Sequence, residues 1–299
     1  MNKVLEVKNI TKSFGKIDVL KGVSFSIDQG EIFGFLGRNG AGKSTLINIL
    51  TGVIHQTNGG FQILGGSLDK VKHKIGVFPD VDNFYADWSA NQHLKFFAKV
   101  QKLKIQQKEI DEKLALVGLL KDKGKKVKNF SFGMKKKLGV AQALINNPEF
   151  IILDEPTSGL DAESAIHMRE LVNKLAAQGK TIFITSHNLN ELEILSNRIA
   201  ILKDGQISVI GTMEELRVEA QNKIQVEITL NRPLKKEDLA TIDLPPHQIN
   251  KQNLRISVKQ QEEIGNCIRQ LVLKGYNIYS VIQQEKTLED IFLQNEVAH

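Results

Sequence analysis

Cysteine is nearly absent: one residue in 299, which excludes an internal disulfide and suits a reducing compartment. That residue, Cys267, falls on the apolar face set by Ile264, Ile268 and Leu271, which predicts a packed core thiol rather than a reactive one. No apolar stretch approaches the ~18 residues of a membrane span. The first residues, Met1 to Lys8, lack the apolar core of a signal peptide and alternate as a strand does. A cytosolic chain without a membrane segment of its own is therefore expected. No internal repeat shows at periods of ~20–50 residues, and no segment is of low complexity. The net charge of +6 is mild, and solubility explains it as well as an anionic partner does.

What the chain does contain is a complete phosphate-binding loop, Gly37-Arg38-Asn39-Gly40-Ala41-Gly42-Lys43-Ser44-Thr45. Its glycines let the backbone turn tightly enough to aim several N–H groups at phosphate oxygens. A helix beginning there offers its positive end to the same anion. Lys43 has the reach for β- and γ-phosphates, and Ser44 has the hydroxyl to coordinate Mg²⁺. The apolar run Glu31 to Leu36 supplies the preceding buried strand that this motif requires.

Four apolar residues followed by two acids, Phe150 to Glu155, read as a second buried strand that ends beside the loop. There Asp154 can hold the Mg²⁺ shell and Glu155 can polarise a water for attack on the γ-phosphate. His187 ends a further apolar strand, where its imidazole can meet the γ-phosphate and organise that water. Phe130-Ser131-Phe132-Gly133-Met134 precedes an amphipathic helix and reads as a second anion-binding turn. Lys135, Lys136 and Lys137 crowd that helix's first turn, where the dipole disfavours cations, so a bound polyphosphate would offset the cost.

The apolar runs Ile32–Leu36, Phe150–Leu153, Thr181–Thr185 and Ile199–Leu202, separated by helical patterns, predict an α/β domain with a largely parallel sheet. Residues 80–145 change to helical spacing, seen in Leu94, Phe97 and Ala98, in Ile110, Leu114 and Val117, and in Leu138, Ala141 and Ile145. They are read as a helical subdomain inserted into the core. The lysines between Lys121 and Lys128 read as a solvated connector, or as a face meeting an anionic membrane surface. Beyond residue 219, alternation in Ile224–Leu230 and Leu254–Val258, a helix through Ile264 and Leu271, a strand near Ile278–Ile282 and a last helix at Leu288, Ile291 and Phe292 predict a small α+β domain.

The order of these motifs, with Ser158-Gly159-Leu160-Asp161 between the acids and His187, resembles the nucleotide-binding subunit of ATP-binding cassette (ABC) transporters over residues 3–218. Thr287 to Leu293 is similar to the C-terminal extension of ABC-2-type exporter ATPases. The resemblance implies a P-loop cassette at 1–218, a C-terminal accessory domain at 219–299, and ATP and Mg²⁺ as ligands. It also implies a head-to-tail dimer of two such subunits, a homodimer in the simplest case, with two ATP between them. Gly37, Asn39, Gly40, Ala41, Gly42, Lys43, Ser44 and Thr45 would then cradle the nucleotide, and Phe14 would stack on adenine. Ser131 and Gly133 would reach the partner's γ-phosphate, and Asp161 would couple the two sites across the interface. Lys43, Glu155 and His187 would carry the hydrolysis, with Ser44, Asp154 and Asp80 around the metal.

Two departures stand out: Asp80 occupies the family's usual glutamine position, and Phe132 replaces a signature glycine. The expected function is ATP-driven transport, on the export side, through a separate membrane permease on whose cytoplasmic face the chain sits. No nucleic-acid partner is expected. A soluble cassette ATPase acting on ribosomes or nucleic acid, and an ATP-switched regulator, are the alternatives in other classes.

Overall fold

The computed structural model describes residues 2–79, 84–221, 224–239, 242, 244–245, 247–258 and 260–284. Asp80 and the 287–293 segment, with the helix expected at Leu288 to Phe292, lie outside the described residues. The chain divides into two compact units, Met1–Thr212 and Met213–His299.

The first unit opens with β1 (Lys3–Phe14) and β2 (Ile17–Asp28), paired antiparallel, and then β3 (Ile32–Gly37), α1 (Lys43–Leu50) and β4 (Asn58–Ile63). A short α2 (Leu68–Val71) leads to β5 (Ile75–Phe78). The helices α3 (Ala90–Val100), α4 (Gln107–Leu116) and α5 (Phe132–Ala143) come next. The unit closes with β6 (Phe150–Asp154), α6 (Ala162–Ala177), β7 (Thr181–Ser186), α7 (Leu189–Leu195), β8 (Arg198–Lys203) and β9 (Gln206–Gly211).

Six strands form the central sheet in the order β5-β6-β7-β3-β8-β9, parallel except for the antiparallel edge pair β8–β9. β3, β6 and β7 are buried along their whole length, which is why each reads as an unbroken apolar run. A smaller antiparallel sheet, β2-β1-β4, covers one face. The two meet through stacked rings: Phe25 of β2 lies 5.3 Å from Phe33 of β3 and 6.0 Å from Phe183 of β7. Burial of rings of this size supplies much of the hydrophobic stabilisation.

Between β5 and β6 the three helices bury Leu94, Ala98, Ile110, Leu114, Leu138 and Ala141 on facing sides. The helix α5 packs on β5 and touches α3 and α4, so it joins this helical region to the sheet. The basic segment is less of a free connector than its composition implies. Two short 3₁₀ turns, Leu120–Asp122 and Val127–Asn129, order it. Its lysines pair with nearby acids, Lys123 with Asp111 at 2.8 Å and Lys128 with Asp87 at 2.7 Å.

In the second unit, α8 (Met213–Gln221), β10 (Ile224–Leu230), α9 (Lys236–Leu239), β11 (His247–Asn250), β12 (Asn253–Val258), α10 (Gln261–Leu273) and β13 (Ile278–Gln284) build an α+β fold. Its sheet runs antiparallel in the order β11-β12-β10-β13. Val226, Ile228, Leu230, Leu254, Ile256 and Val258 face α10, where Leu271 and Cys267 are buried. Burial pushes the Cys267 thiol up to about 11, so it stays protonated and inert as a core residue should. Among the described residues of the chain, no helix is long and apolar enough to cross a membrane.

Candidate functional site

The loop after β3 takes its shape from its glycines. A Cβ on Gly37 would stand 3.0 Å from the Leu202 carbonyl oxygen, where β3 lies against β8. Gly42 has φ +110 and forms the N-cap of α1, a conformation that side-chain-bearing residues rarely take. No side chain caps this helix among the described residues and its first turn holds no acid, so its leading N–H groups face outward for an anion. Lys43 and Ser44 occupy that first turn. The Lys43 ammonium is buried, donates to the Gly37 carbonyl at 2.5 Å and lies 3.2 Å from Glu155 Oε1. Ser44 Oγ donates to Asp154 Oδ2 at 3.3 Å.

The two acids leave β6 in different directions. Asp154 accepts from the fully buried Thr185 hydroxyl at 2.5 Å, which fixes its carboxylate against Ser44. Glu155 turns sharply, with φ +49 at a non-glycine residue. Its N–H donates to Thr185, at 3.1 Å to the hydroxyl and 3.3 Å to the carbonyl. This turn carries the Glu155 carboxylate to a position between Lys43 and His187, whose Nδ1 lies 2.9 Å from Oε2. Two hard oxygen donors, Ser44 and Asp154, therefore converge at the mouth of the loop, a donor set that fits Mg²⁺ with phosphate oxygens and water completing the shell. A carboxylate backed by an imidazole stands beside them, an arrangement able to accept a proton from water.

The predicted residues fall into two groups. Lys43, Ser44, Asp154, Glu155 and His187 meet through direct contacts at the phosphate loop. Ser131, Gly133 and Asp161 gather elsewhere, and no described contact joins Ser131 or Gly133 to that loop. Ser131 caps α5, accepting from Met134 N–H at 3.2 Å. A Cβ on Gly133 would stand 2.9 Å from Ser164 Oγ, so α5 and α6 meet closely there. Asp161 caps α6, with Oδ1 and Oδ2 each accepting from Ser164 at 2.9 Å. Those bonds, from the Ser164 backbone first and then its hydroxyl, hold the Asp161 carboxyl below its ordinary range. Phe14 ends β1 with 48% of its surface exposed, and the Lys12 ammonium lies 4.8 Å from its ring centroid.

Three residues that the motifs do not name also shape the site. Thr185 ties both acids to β7, and its signal in the sequence is a hydroxyl directly after the apolar run 182–184. Glu191 of α7 accepts on one oxygen from Ser186 Oγ at 3.0 Å and from Thr157 Oγ1 at 2.5 Å. It thus fastens the segment leading to His187 to the segment following Glu155. Lys136 does not join a cationic crown around an external anion as its neighbours suggest. Its side chain turns inward, 2% exposed, and donates to the Glu155 carbonyl at 2.6 Å. Helical spacing places it on the buried face shared by Gly133, Val140 and Ala143, a signal outweighed by its charge.

Comparison with known proteins gives the family. A family profile described as ABC transporter matches residues 20–158. The chain is 34% identical to the linearmycin resistance ATP-binding protein LnrL of Bacillus subtilis (strain 168), over 97% of both chains. It is 34% identical to the bacitracin transport ATP-binding protein BcrA of Bacillus licheniformis, over 98% of this chain and 97% of that one. Among solved structures, the ATP-binding cassette MJ0796, a dimer in a post-hydrolysis state bound to ADP and Pi, shares the fold with a TM-score of 0.63 and 27% identity. That match covers 70% of this chain and 98% of the cassette. The chain belongs to the ATP-binding proteins of ABC transporters, the nucleotide-binding, ATP-hydrolysing subunits that power transport through a separate permease.

Proposed function

We propose that this chain works as a dimer on the cytoplasmic face of the cell membrane, hydrolysing ATP to drive an exporter. The observation that carries the hydrolytic part is the Glu155 carboxylate, held between Lys43 and His187 at the mouth of the phosphate loop. The α1 N-terminus and the loop amides hold the phosphates, and Phe14 offers its exposed ring to adenine. Ser44 and Asp154 would hold Mg²⁺, with Asp80 as a further ligand proposed from its place in the sequence. When bound, the metal supplies charge neutralisation to the phosphates. A γ-phosphate competing for Lys43 frees Glu155 Oε1 to take a proton from water. Water then forms its bond to the γ-phosphorus as the bond to the ADP oxygen breaks, while His187 orients the carboxylate.

The second half of the site is proposed to come from a partner subunit. Ser131 is exposed at the N-cap of α5, and no described contact joins it or the buried Gly133 behind it to the phosphate loop of the same chain, which favours a composite site closed by dimerisation. Asp161 borders that turn and would couple the two sites. Closing and reopening of such a dimer supplies the mechanical stroke. The names of LnrL and BcrA support the export reading and point to antibiotics as the class of cargo. The helical region 80–145 is the proposed docking surface for the permease, and the second unit is a proposed accessory domain.

Affinity purification of the tagged chain from its native membrane tests the pairing. A stoichiometric polytopic membrane protein is expected to accompany it. Recovery of ribosomes, nucleic acid or soluble proteins alone would overturn the exporter reading and leave the ATPase.

A further inference from the structure

We propose that Lys136 is a positioning residue for hydrolysis, linking the signature helix α5 to the backbone turn that aims Glu155. The proposal rests on the reading of Glu155 as the proton acceptor. Lys136 is the fifth residue of α5 and only 2% exposed, where desolvation disfavours a cation. A lysine kept there needs compensating contacts. Its ammonium makes a charge-assisted hydrogen bond of 2.6 Å to the Glu155 carbonyl. It also lies 5.4 Å from the Phe132 ring centroid and 5.7 Å from that of Phe78, within cation–π range of both.

The carbonyl that Lys136 holds belongs to a residue whose backbone itself needs holding. Glu155 has φ +49, a conformation that persists only where surrounding contacts over-determine it. On its N–H side those contacts come from Thr185; on its carbonyl side they come from Lys136 and from Ser158 N–H at 3.2 Å. The same helix grips the following turn a second time. A Cβ on Gly159 would stand 2.9 Å from Phe132 Cε1, so the Phe132 ring lies directly on that glycine. Phe132, Lys136, Glu155 and Gly159 therefore form one packed unit. A displacement of α5 at its Ser131 end is transmitted to the direction of the Glu155 carboxylate in the same subunit. In a closed dimer, engagement of one site's signature turn would then set the carboxylate of the other site.

A double-mutant cycle on the full chain tests this. Lys136→Met keeps the apolar stem and removes the donor. It is expected to lower kcat on the order of 10- to 100-fold, with the affinity for a fluorescent ATP analogue held within about 2-fold. In the Glu155→Gln background the same change is expected to alter the residual rate by less than about 2-fold, because Lys136 acts through Glu155. Lys136→Gln, which keeps an N–H donor, should recover most of the loss. Unchanged kcat in Lys136→Met, a loss that multiplies on the Glu155→Gln background, or an equal fall in nucleotide affinity would each overturn the proposal. If Lys136→Met does not fold, Lys136→Leu takes its place, and failure of both assigns Lys136 to folding alone. Near-normal turnover of Glu155→Gln by itself would instead sink the reading of Glu155, an outcome distinct from a slow Glu155→Gln beside a fast Lys136→Met.

Discussion

Lys43 and Glu155 form a buried ion pair, with Nζ 3.2 Å from Oε1 and side chains only 6% and 9% exposed. The pair spans the site from the first turn of α1 to the end of β6, so each partner neutralises a charge that would otherwise stand desolvated.

Removing one partner should therefore cost more than removing both. Lys43→Met leaves the carboxylate buried with His187 alone and should destabilise the first unit by about 3 kcal/mol. The Lys43→Met/Glu155→Gln pair should regain most of that. Denaturant titration of the four proteins measures it, and a double variant no more stable than Lys43→Met would show that the pair is not what the single change breaks.

His93 sets an acid limit on the helical region. Its ring is buried among Phe84, Tyr85 and Phe97 at centroid distances of 5.2–5.5 Å, and neither ring nitrogen has a hydrogen-bond partner among the described residues. Burial lowers its pKa from the ordinary 6.5, so the fold favours neutral imidazole. The sign follows: this stability is present above the unfolded-state pKa and is lost as pH falls through the lowered folded value. The melting temperature of the wild-type chain should fall more than that of His93→Phe between about pH 7.5 and about pH 5.5. Parallel curves would contradict this.

Asp161 serves α6 as its N-cap, whatever it does at a dimer interface. Asp161→Ala should lower the melting temperature of the monomer at neutral pH, and Asp161→Asn, which keeps an accepting oxygen but loses the charge, should lower it less. Since its carboxyl titrates below its ordinary range, the carboxylate contributes stability that is present above the unfolded-state pKa and lost as pH falls through the lowered folded value, so the difference between wild type and Asp161→Asn should vanish in strong acid. If Asp161→Asn lowers ATPase at a temperature where both proteins are fully folded, its charge acts beyond the cap.

The parts of this molecule that read plainly from sequence are those where one physical demand acts alone. β3, β6 and β7 are buried on both faces, so nothing interrupts their apolar runs, and the phosphate loop tolerates few residue types. The antiparallel sheet was harder. β1 pairs with β2 through register shifts around Ile10, which break the alternation that identifies a half-buried strand. Composition also concealed the pairing of Lys123 and Lys128, because their acids, Asp111 and Asp87, lie 12 and 41 residues away. Lys136 and Glu191 escaped for the same reason: their partners come from other elements, and a charged residue in isolation reads as solvated. Their order at the strand end already gives Asp154 and Glu155 different expected roles, whereas the backbone angle that parts their carboxylates, φ +49 at Glu155, is announced by no residue spacing.

The most direct test of the central claim is the turnover of Glu155→Gln, measured with its association state in ATP. The variant should bind ATP with near wild-type affinity and sediment as a dimer in ATP but not in ADP. Its hydrolysis rate should fall on the order of 100-fold or more. Near-normal turnover would remove Glu155 as the proton acceptor, and a monomer in saturating ATP would remove the composite site.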